Sequence, residues 1–228
     1  INSIAIGYVA KATGVRGTAF GGNNSLASGQ DSMALNGGQA IGDYSLAIGG
    51  FMPNGAKADG AKSIAIGWDC SATALSSISI GTTNDATGIA LGELNIANGV
   101  SAIAIGLRNE ATGLNNNNQN IVPLANQKTG AIAIGTDCSA TGVGAIAMGQ
   151  YCDASGNWSI SMGSGDTAAS VSTGNQVAEG QNSIAMGWMN YAGAEYSIAM
   201  GKNSNASAPA AIAMGDDCHA SGQDSVAL

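Results

Sequence analysis

A five-residue motif, Ser/Ala-Ile-Ala-Ile/Met-Gly, recurs along the chain and constrains its fold more than any other feature. Eight of the fourteen spacings between successive copies equal fourteen residues. A fixed period of this kind is typical of repeat proteins, in which each unit buries its apolar face by stacking on its neighbours. We therefore predict one continuous solenoid over residues 1–228. The motif begins, in recognisable form, at positions 3, 17, 32, 45, 63, 77, 88, 102, 131, 145, 159, 183, 197, 211 and 225.

Each repeat contains two alternating segments, which predict two short β-strands. When the repeat is numbered from the Ser or Ala of the motif, position 2 is mostly Ile, position 3 is nearly always Ala, and position 4 changes from Ile to Met. The Gly at position 5 favours a turn because it tolerates positive φ. Positions 6 to 12 read x-x-Ser/Cys/Asn-x-Ala-x-Gly and alternate again. The sequence therefore predicts an all-β fold, a parallel β-roll with about one coil per repeat.

The two faces of the motif strand differ in size, which guides the expected orientation. We expect Ile and Met at positions 2 and 4, such as Ile103 and Ile105, to point inward against the small residues of the second strand. The opposite face, with Ala at position 3, would then be exposed and favour symmetric packing on another chain. The alternative is that alanine only avoids crowding between coils. The candidate interface residues are Ala5, Ala65, Ala104, Ala133, Ala147, Ala185, Ala199 and Ala213.

Composition and charge exclude several partners. The formal net charge is −8, and the seven Lys and Arg residues are scattered, so no basic stripe could neutralise nucleic-acid phosphates. No apolar run reaches the length of a membrane helix, so we expect no membrane insertion by this segment. The chain begins and stops within a motif, which indicates a piece of a longer protein.

Residues 2–7 (Asn-Ser-Ile-Ala-Ile-Gly) and 182–187 (Asn-Ser-Ile-Ala-Met-Gly), each followed by the alternating second half, closely resemble the head repeat of YadA-type trimeric autotransporter adhesins. The resemblance implies a left-handed parallel β-roll and a homotrimer in which three copies join side by side. It also implies an extracellular head that binds a host receptor, matrix protein or glycan. The same repeat occurs in fibres of tailed phages, so a bacterial surface and a virion fibre both stay open.

Four cysteines occupy position 8 of their repeats: Cys70, Cys138, Cys152 and Cys218. This slot elsewhere holds Ala, Ser or Asn, so we interpret the cysteines as small buried residues. Only Cys138 and Cys152 are one repeat apart, about 4.8 Å between stacked coils, which leaves a disulfide open. Cysteines disfavour export through an outer-membrane pore, where a periplasmic disulfide would block passage, and favour a virion fibre assembled in a reducing cytoplasm.

The sequence predicts no catalytic site, metal or cofactor. His219 is the only histidine, and no Cys-x-x-Cys pair exists, which disfavours triad chemistry and zinc binding. The run at residues 163–166 lacks the Lys of a phosphate-binding loop. We therefore expect a protein that is not an enzyme.

Binding is predicted at turns and corners. Insertions near 50–55, 114–128 and 164–173 break the register at turns, where solenoids accept extra residues that often carry binding. For the second insertion, a degenerate extra coil is the alternative. Aromatic corner residues could stack on a sugar, anchor a protein, cover a coil edge or fill a groove between subunits. The candidate ligand-binding residues are Trp68, Trp158, Trp188, Asn118 and Asp166.

The leading function is an adhesion or attachment fibre head that displays these loops and corners. The alternatives are a non-adhesive extracellular spacer filament and an ice- or mineral-binding solenoid. An ice-binding face needs a regular array of Thr or Asp. Threonine recurs at position 11 but is interrupted by Asn98, Ser155, Glu179 and Ser207, which disfavours this alternative.

Overall fold

The computed structural model describes residues 2–21, 24–49, 55–99, 101–112, 130–166 and 175–228. In these segments every regular element is a β-strand and none is a helix. The strands form a parallel β-solenoid whose coils are about fourteen residues apart, so the predicted fold class is confirmed. The chain divides into two compact units, Ile1–Asn98 and Gly99–Leu228.

In the first unit, odd-numbered strands carry the motif and even-numbered strands carry the second half of each repeat. These strands are β1 (Ile4–Ile6), β2 (Lys11–Ala12), β3 (Thr18–Phe20), β4 (Leu26–Ala27), β5 (Met33–Leu35), β6 (Gln39–Ala40), β7 (Leu46–Ile48), β8 (Lys57–Ala58), β9 (Ile64–Trp68), β10 (Ser71–Ala72), β11 (Ile78–Thr82), β12 (Asp85–Ala86), β13 (Ile89–Glu93) and β14 (Ile96–Ala97). Odd strands pair with odd strands and even with even, always in parallel.

The second unit follows the same rule. Its strands are β15 (Ile103–Leu107), β16 (Glu110–Ala111), β17 (Ile132–Thr136), β18 (Ser139–Ala140), β19 (Ile146–Gln150), β20 (Cys152–Ala154), β21 (Ile160–Ser164), β22 (Gln176–Ala178), β23 (Ile184–Trp188), β24 (Tyr191–Ala192), β25 (Ile198–Lys202), β26 (Asn205–Ala206), β27 (Ile212–Asp216), β28 (His219–Ala220) and β29 (Val226–Ala227). Below, sheet A means the motif strands of a unit and sheet B its second strands.

The register places equal repeat positions on each other. Ile132 pairs with Ile146, and Gly135 pairs with Gly149. The register also bears on the second insertion, because Ile103 pairs directly with Ile132 across the intervening sequence. The described strands therefore contain no extra coil at this point. Residues 113–129, which hold all of the insertion at 114–128, lie outside the described residues.

The predicted orientation of the motif strand is wrong. Alanines at position 3 are buried inside the coil, whereas Ile4 at position 2 is 54% exposed and Ile80 at position 4 is 37% exposed. Ile103 and Ile105 lie on the outer face and are partly exposed. The coil interior is so thin that only methyl, hydroxyl, thiol and small amide groups fit between the two sheets. Two facing layers of isoleucine would need sheets about 10 Å apart.

The predicted alanine interface is contradicted by the same observation. A side chain that is fully buried within its own coil cannot contact a second chain. Ala5, in the terminal coil, is exposed. The other candidates are fully buried within the chain: Ala65, Ala104, Ala133, Ala147, Ala185, Ala199 and Ala213.

Position 8 forms a polar ladder along the inside of one corner. The Nδ2 of Asn84 donates to the carbonyl oxygens of Ile80 and Gly92, both at 2.8 Å, and its Oδ1 accepts from the backbone N–H of Asn95 at 2.8 Å. The ladder supplies partners for backbone groups at the glycine turn, which would otherwise be buried without hydrogen bonds. Asn190 makes the same contacts, with Met186, Gly201 and the N–H of Ser204.

Candidate functional site

The cysteines belong to this ladder, where their thiols approach backbone carbonyl oxygens. The thiol of Cys138 lies 3.2 Å from the carbonyl oxygen of Gly149, and that of Cys152 lies 3.3 Å from the carbonyl oxygen of Gly163. Cys70, Cys138 and Cys152 are buried, which confirms their interpretation as small interior residues. All four cysteines are free. The neighbouring thiols perturb each other, so that their contact lowers the pKa of Cys138 and raises the pKa of Cys152.

The outer face of sheet A is a continuous apolar surface in each unit. Positions 2 and 4 stack into two columns, because Ile146 pairs with Ile160 and Met148 with Met162. Neither column contains a charged residue. Large exposed apolar surfaces of this kind mark contacts with other macromolecules. We call these two columns the apolar face.

Two of the predicted tryptophans extend sheet A just after the turn glycine. Trp68 ends β9, and Trp188 ends β23. The ammonium group of Lys202 lies 5.6 Å from the centroid of the Trp188 ring, a cation–π arrangement. Lys202 also approaches Asp216 at 3.6 Å. Trp188 is therefore held within a polar cluster at this corner.

Trp158 occupies the other corner, at the residue before the motif. It has φ of 58° and is 58% exposed. Tyr44 and Tyr196 hold the equivalent corner of their own coils with φ of 59°. Trp158, Tyr44 and Tyr196 therefore lie at a turn of the coil, as predicted, whereas Trp68 and Trp188 end strands of sheet A. Asp166 is exposed, and Asn118 lies outside the described residues.

Asp153 on β20 is a half-buried residue that the sequence analysis did not single out. Its Oδ1 is buried without a hydrogen-bond partner. Burial raises the pKa of Asp153 to about 6; a hydrogen bond with Ser155 opposes the shift, and the carboxylates of Glu179 and Glu110 add to it. Ionised Asp153 therefore destabilises the fold.

Asp153→Asn is expected to stabilise the protein above about pH 6 by up to about 3 kcal/mol, since each pKa unit corresponds to about 1.4 kcal/mol. The folded state binds this proton more tightly than the unfolded chain does. The favourable contribution is thus present below about pH 4 and is lost as pH rises through about 6. Urea unfolding of wild type and variant between pH 4 and 8 measures the difference. Asp85→Asn, an exposed aspartate at the same repeat position, should change little; equal effects of both variants would contradict the assignment.

Open grooves lie beside sheet B in the first unit. One of about 360 Å³ is lined by Val9, Lys11, Leu26 and Gln39, among others. Another of about 420 Å³ is lined by Asp69, Thr83, Asp85 and Leu94, among others. Across the described residues, no cluster of three or more His, Cys, Asp or Glu side chains could hold a metal ion.

A comparison with known protein families matches the chain to the YadA head domain repeat, in a form that holds two copies of the repeat. The matched segments, which together cover more than half of the chain, are residues 1–24, 54–69, 86–109, 97–115, 127–151, 178–204, 192–217 and 206–228.

The chain belongs to the YadA head repeat family.

The predicted resemblance is thereby confirmed. The YadA head is a structural adhesin domain, and heads of this type form trimers and bind surfaces. Adhesins of the YadA type are exposed at the cell surface. No curated protein matches the chain. None of the described residues forms a helix long and apolar enough to cross a membrane.

Proposed function

We propose that this YadA head is the adhesive part of a homotrimeric attachment fibre. The observation that carries the proposal is the apolar face, which runs along sheet A and contains no charged residue. A chain with such a face is poorly soluble alone, and association around a threefold axis would bury the same columns of every copy. Family membership supports the number three.

We place the proposed subunit contact at positions 2 and 4 of sheet A, in place of the alanines at position 3. Ile and Met side chains that are half-buried in one chain can lose their remaining exposure against two neighbours. Each Å² of apolar surface removed from water contributes roughly 25 cal/mol, so a long column of partly exposed Ile and Met supplies a large driving force.

The corners and the outer side of sheet B remain available for a ligand in this arrangement. Trp68, Trp158 and Trp188 are all at least 43% exposed, which supports their role in binding a host receptor, matrix protein or glycan. The head would act outside the cell, either on a bacterial surface or in a virion fibre. The free cysteines are compatible with both settings.

Attachment by the assembled trimer tests the function. We expect a species of three times the chain mass in sedimentation equilibrium, and saturable binding to at least one surface in a panel of matrix proteins, glycans, animal cells and bacterial cells. Because three copies present each site three times, a monomeric variant should bind much more weakly. A stable trimer that binds none of these surfaces would favour the spacer filament instead.

A further inference from the structure

A strip of three residues runs along one corner of the second unit: Trp158, Asn182 and Tyr196. They hold the same repeat position in successive coils. The backbone N–H of Asn182 donates to the Asn157 carbonyl at 2.8 Å, and that of Tyr196 donates to the Gln181 carbonyl at 2.9 Å. The backbone positions of the two aromatic residues are therefore two coil steps apart, about 10 Å at roughly 4.8 Å a step.

The ring of Trp158 packs against a glycine in the preceding coil. Gly144 has φ of +65°, and a Cβ atom there would lie 2.4 Å from Cε3 of Trp158. The indole therefore occupies the space that a side chain at position 144 would fill. Trp158 nevertheless stays 58% exposed and Tyr196 57% exposed. The indole therefore packs closely against Gly144, while more than half of the Trp158 side chain stays accessible to a ligand.

Polar side chains accompany the strip at the neighbouring repeat position. These are Asn157, Gln181 and Glu195, of which Gln181 and Glu195 are exposed. The Oδ1 of Asn157 accepts a hydrogen bond from the N–H of Val143 at 3.1 Å, which holds its side chain along the corner. No Lys or Arg occurs among these six positions. The surface therefore suits a neutral polyhydroxylated ligand and disfavours a phosphorylated or sulfated one.

The geometry points to a binding strip for an extended, neutral β-linked glycan. One pyranose ring stacks its C–H face on Trp158 and another stacks on Tyr196, because polarised C–H groups are attracted to the negative face of an aromatic ring. The intervening sugar lies over Asn182, with its hydroxyl groups near amide side chains that set its orientation. In such a glycan, alternate sugars are one disaccharide repeat apart, and this length matches the two coil steps between the backbone positions of Trp158 and Tyr196. This inference rests on the proposed adhesive function and names its ligand class.

The first unit provides a matched control at the same corner. There Arg16 and Asp31 form an ion pair through the guanidinium Nε and Oδ1 at 2.5 Å, and Lys62 is also charged. Tyr44 is 56% exposed, but its hydroxyl accepts a hydrogen bond from Gln30 at 3.3 Å, and no second aromatic residue follows it two coils on. A single tyrosine among charges lacks the paired platforms of the second unit.

Titration of the assembled protein with β-1,4-linked hexasaccharides of glucose and of N-acetylglucosamine tests the strip, by tryptophan fluorescence and calorimetry. We expect saturable binding of at least one hexasaccharide and much weaker binding of its monosaccharide. Trp158→Ala and Tyr196→Ala should each weaken binding at least about tenfold, the double variant should abolish it, and Trp158→Phe should retain most of it. Tyr44→Ala should bind as wild type does.

Three results would overturn the proposal: no saturable binding of either hexasaccharide, binding unchanged in Trp158→Ala, or dissociation of the trimer by Trp158→Ala and Tyr196→Ala. The last would show that the aromatics fill a groove between subunits. Trimers that attach to cells but bind neither hexasaccharide would overturn the glycan ligand alone and leave the adhesive function standing.

Discussion

Replacing Ile198 and Ile212 with aspartate is expected to convert the assembled protein to monomers. Both residues lie at position 2 of sheet A, where Ile198 pairs with Ile212 on the apolar face. In the proposed trimer their substitutes would place carboxylates from each chain in an apolar contact, and burial of an unpaired charge costs several kcal/mol. Sedimentation equilibrium should then give one third of the wild-type mass.

The control adds the same two charges to the opposite side of the same coils. Asn205→Asp and His219→Asp lie on sheet B, where the two residues also pair directly. Repulsion between the two new carboxylates in one sheet is therefore present in both double variants. This variant should remain trimeric. If the Ile198/Ile212 variant also sediments as a trimer with wild-type stability, the apolar face is not the subunit contact.

Replacing Gly135 with alanine is expected to destabilise the fold by at least about 3 kcal/mol. Gly135 has φ of +136°, a region that residues with a Cβ atom rarely adopt. An added Cβ would lie 1.8 Å from the carbonyl oxygen of Gly149 in the next coil, and that neighbour is backbone, which cannot move aside without breaking the register. Relief of the clash therefore requires the two coils to separate locally.

Urea or thermal unfolding of Gly135→Ala measures the loss. Gly222→Ala is the control, because a Cβ at Gly222 would meet only the side chain of Ser225 at 3.6 Å and more. This control should unfold within about 1 kcal/mol of wild type. A Gly135→Ala protein as stable as the control would mean that the turn can rearrange, contrary to the close contact between coils.

Strand positions followed from local chemistry and could be predicted. Every motif strand begins at position 2 of a copy identified by sequence, including divergent copies such as Thr18–Phe20 and Met33–Leu35. Alternation and glycine turns act within a few residues, so a single repeat contains the signal. The small residues of position 8 were also predicted as interior. Their role as partners for the turn carbonyls was missed, although the recurrence of Asn, Ser and Cys there was a clue.

The inside and outside faces of the motif strand could not be read from alternation. Two residues of the sequence already favoured the observed orientation. Thr18 at position 2 and Phe20 at position 4 show that the face formed by these positions accepts side chains of very different size. By contrast, position 3 accepts only Ala or Ser. A face restricted to small residues lies where space is limited, and here that is the interior of the coil.

The candidate binding strip was likewise predicted only in part from the sequence. Sequence placed Trp158 and Tyr196 at corners, because both directly precede the motif. It did not show that Gly144 supports the indole from the preceding coil, since that contact joins residues fourteen apart. The raised pKa of Asp153 likewise depends on burial between neighbouring coils.

The sequence by itself determined the period, the strands, the turns and the family, because each depends on residues close together in the chain. Only the tertiary structure decided which face is interior, since that choice depends on the distance between two sheets. Sheets close enough for Ala at position 3 to meet Ala at position 10 leave no room for Ile, and the larger side chains therefore lie outside. The same closeness creates the apolar face from which the trimer is proposed.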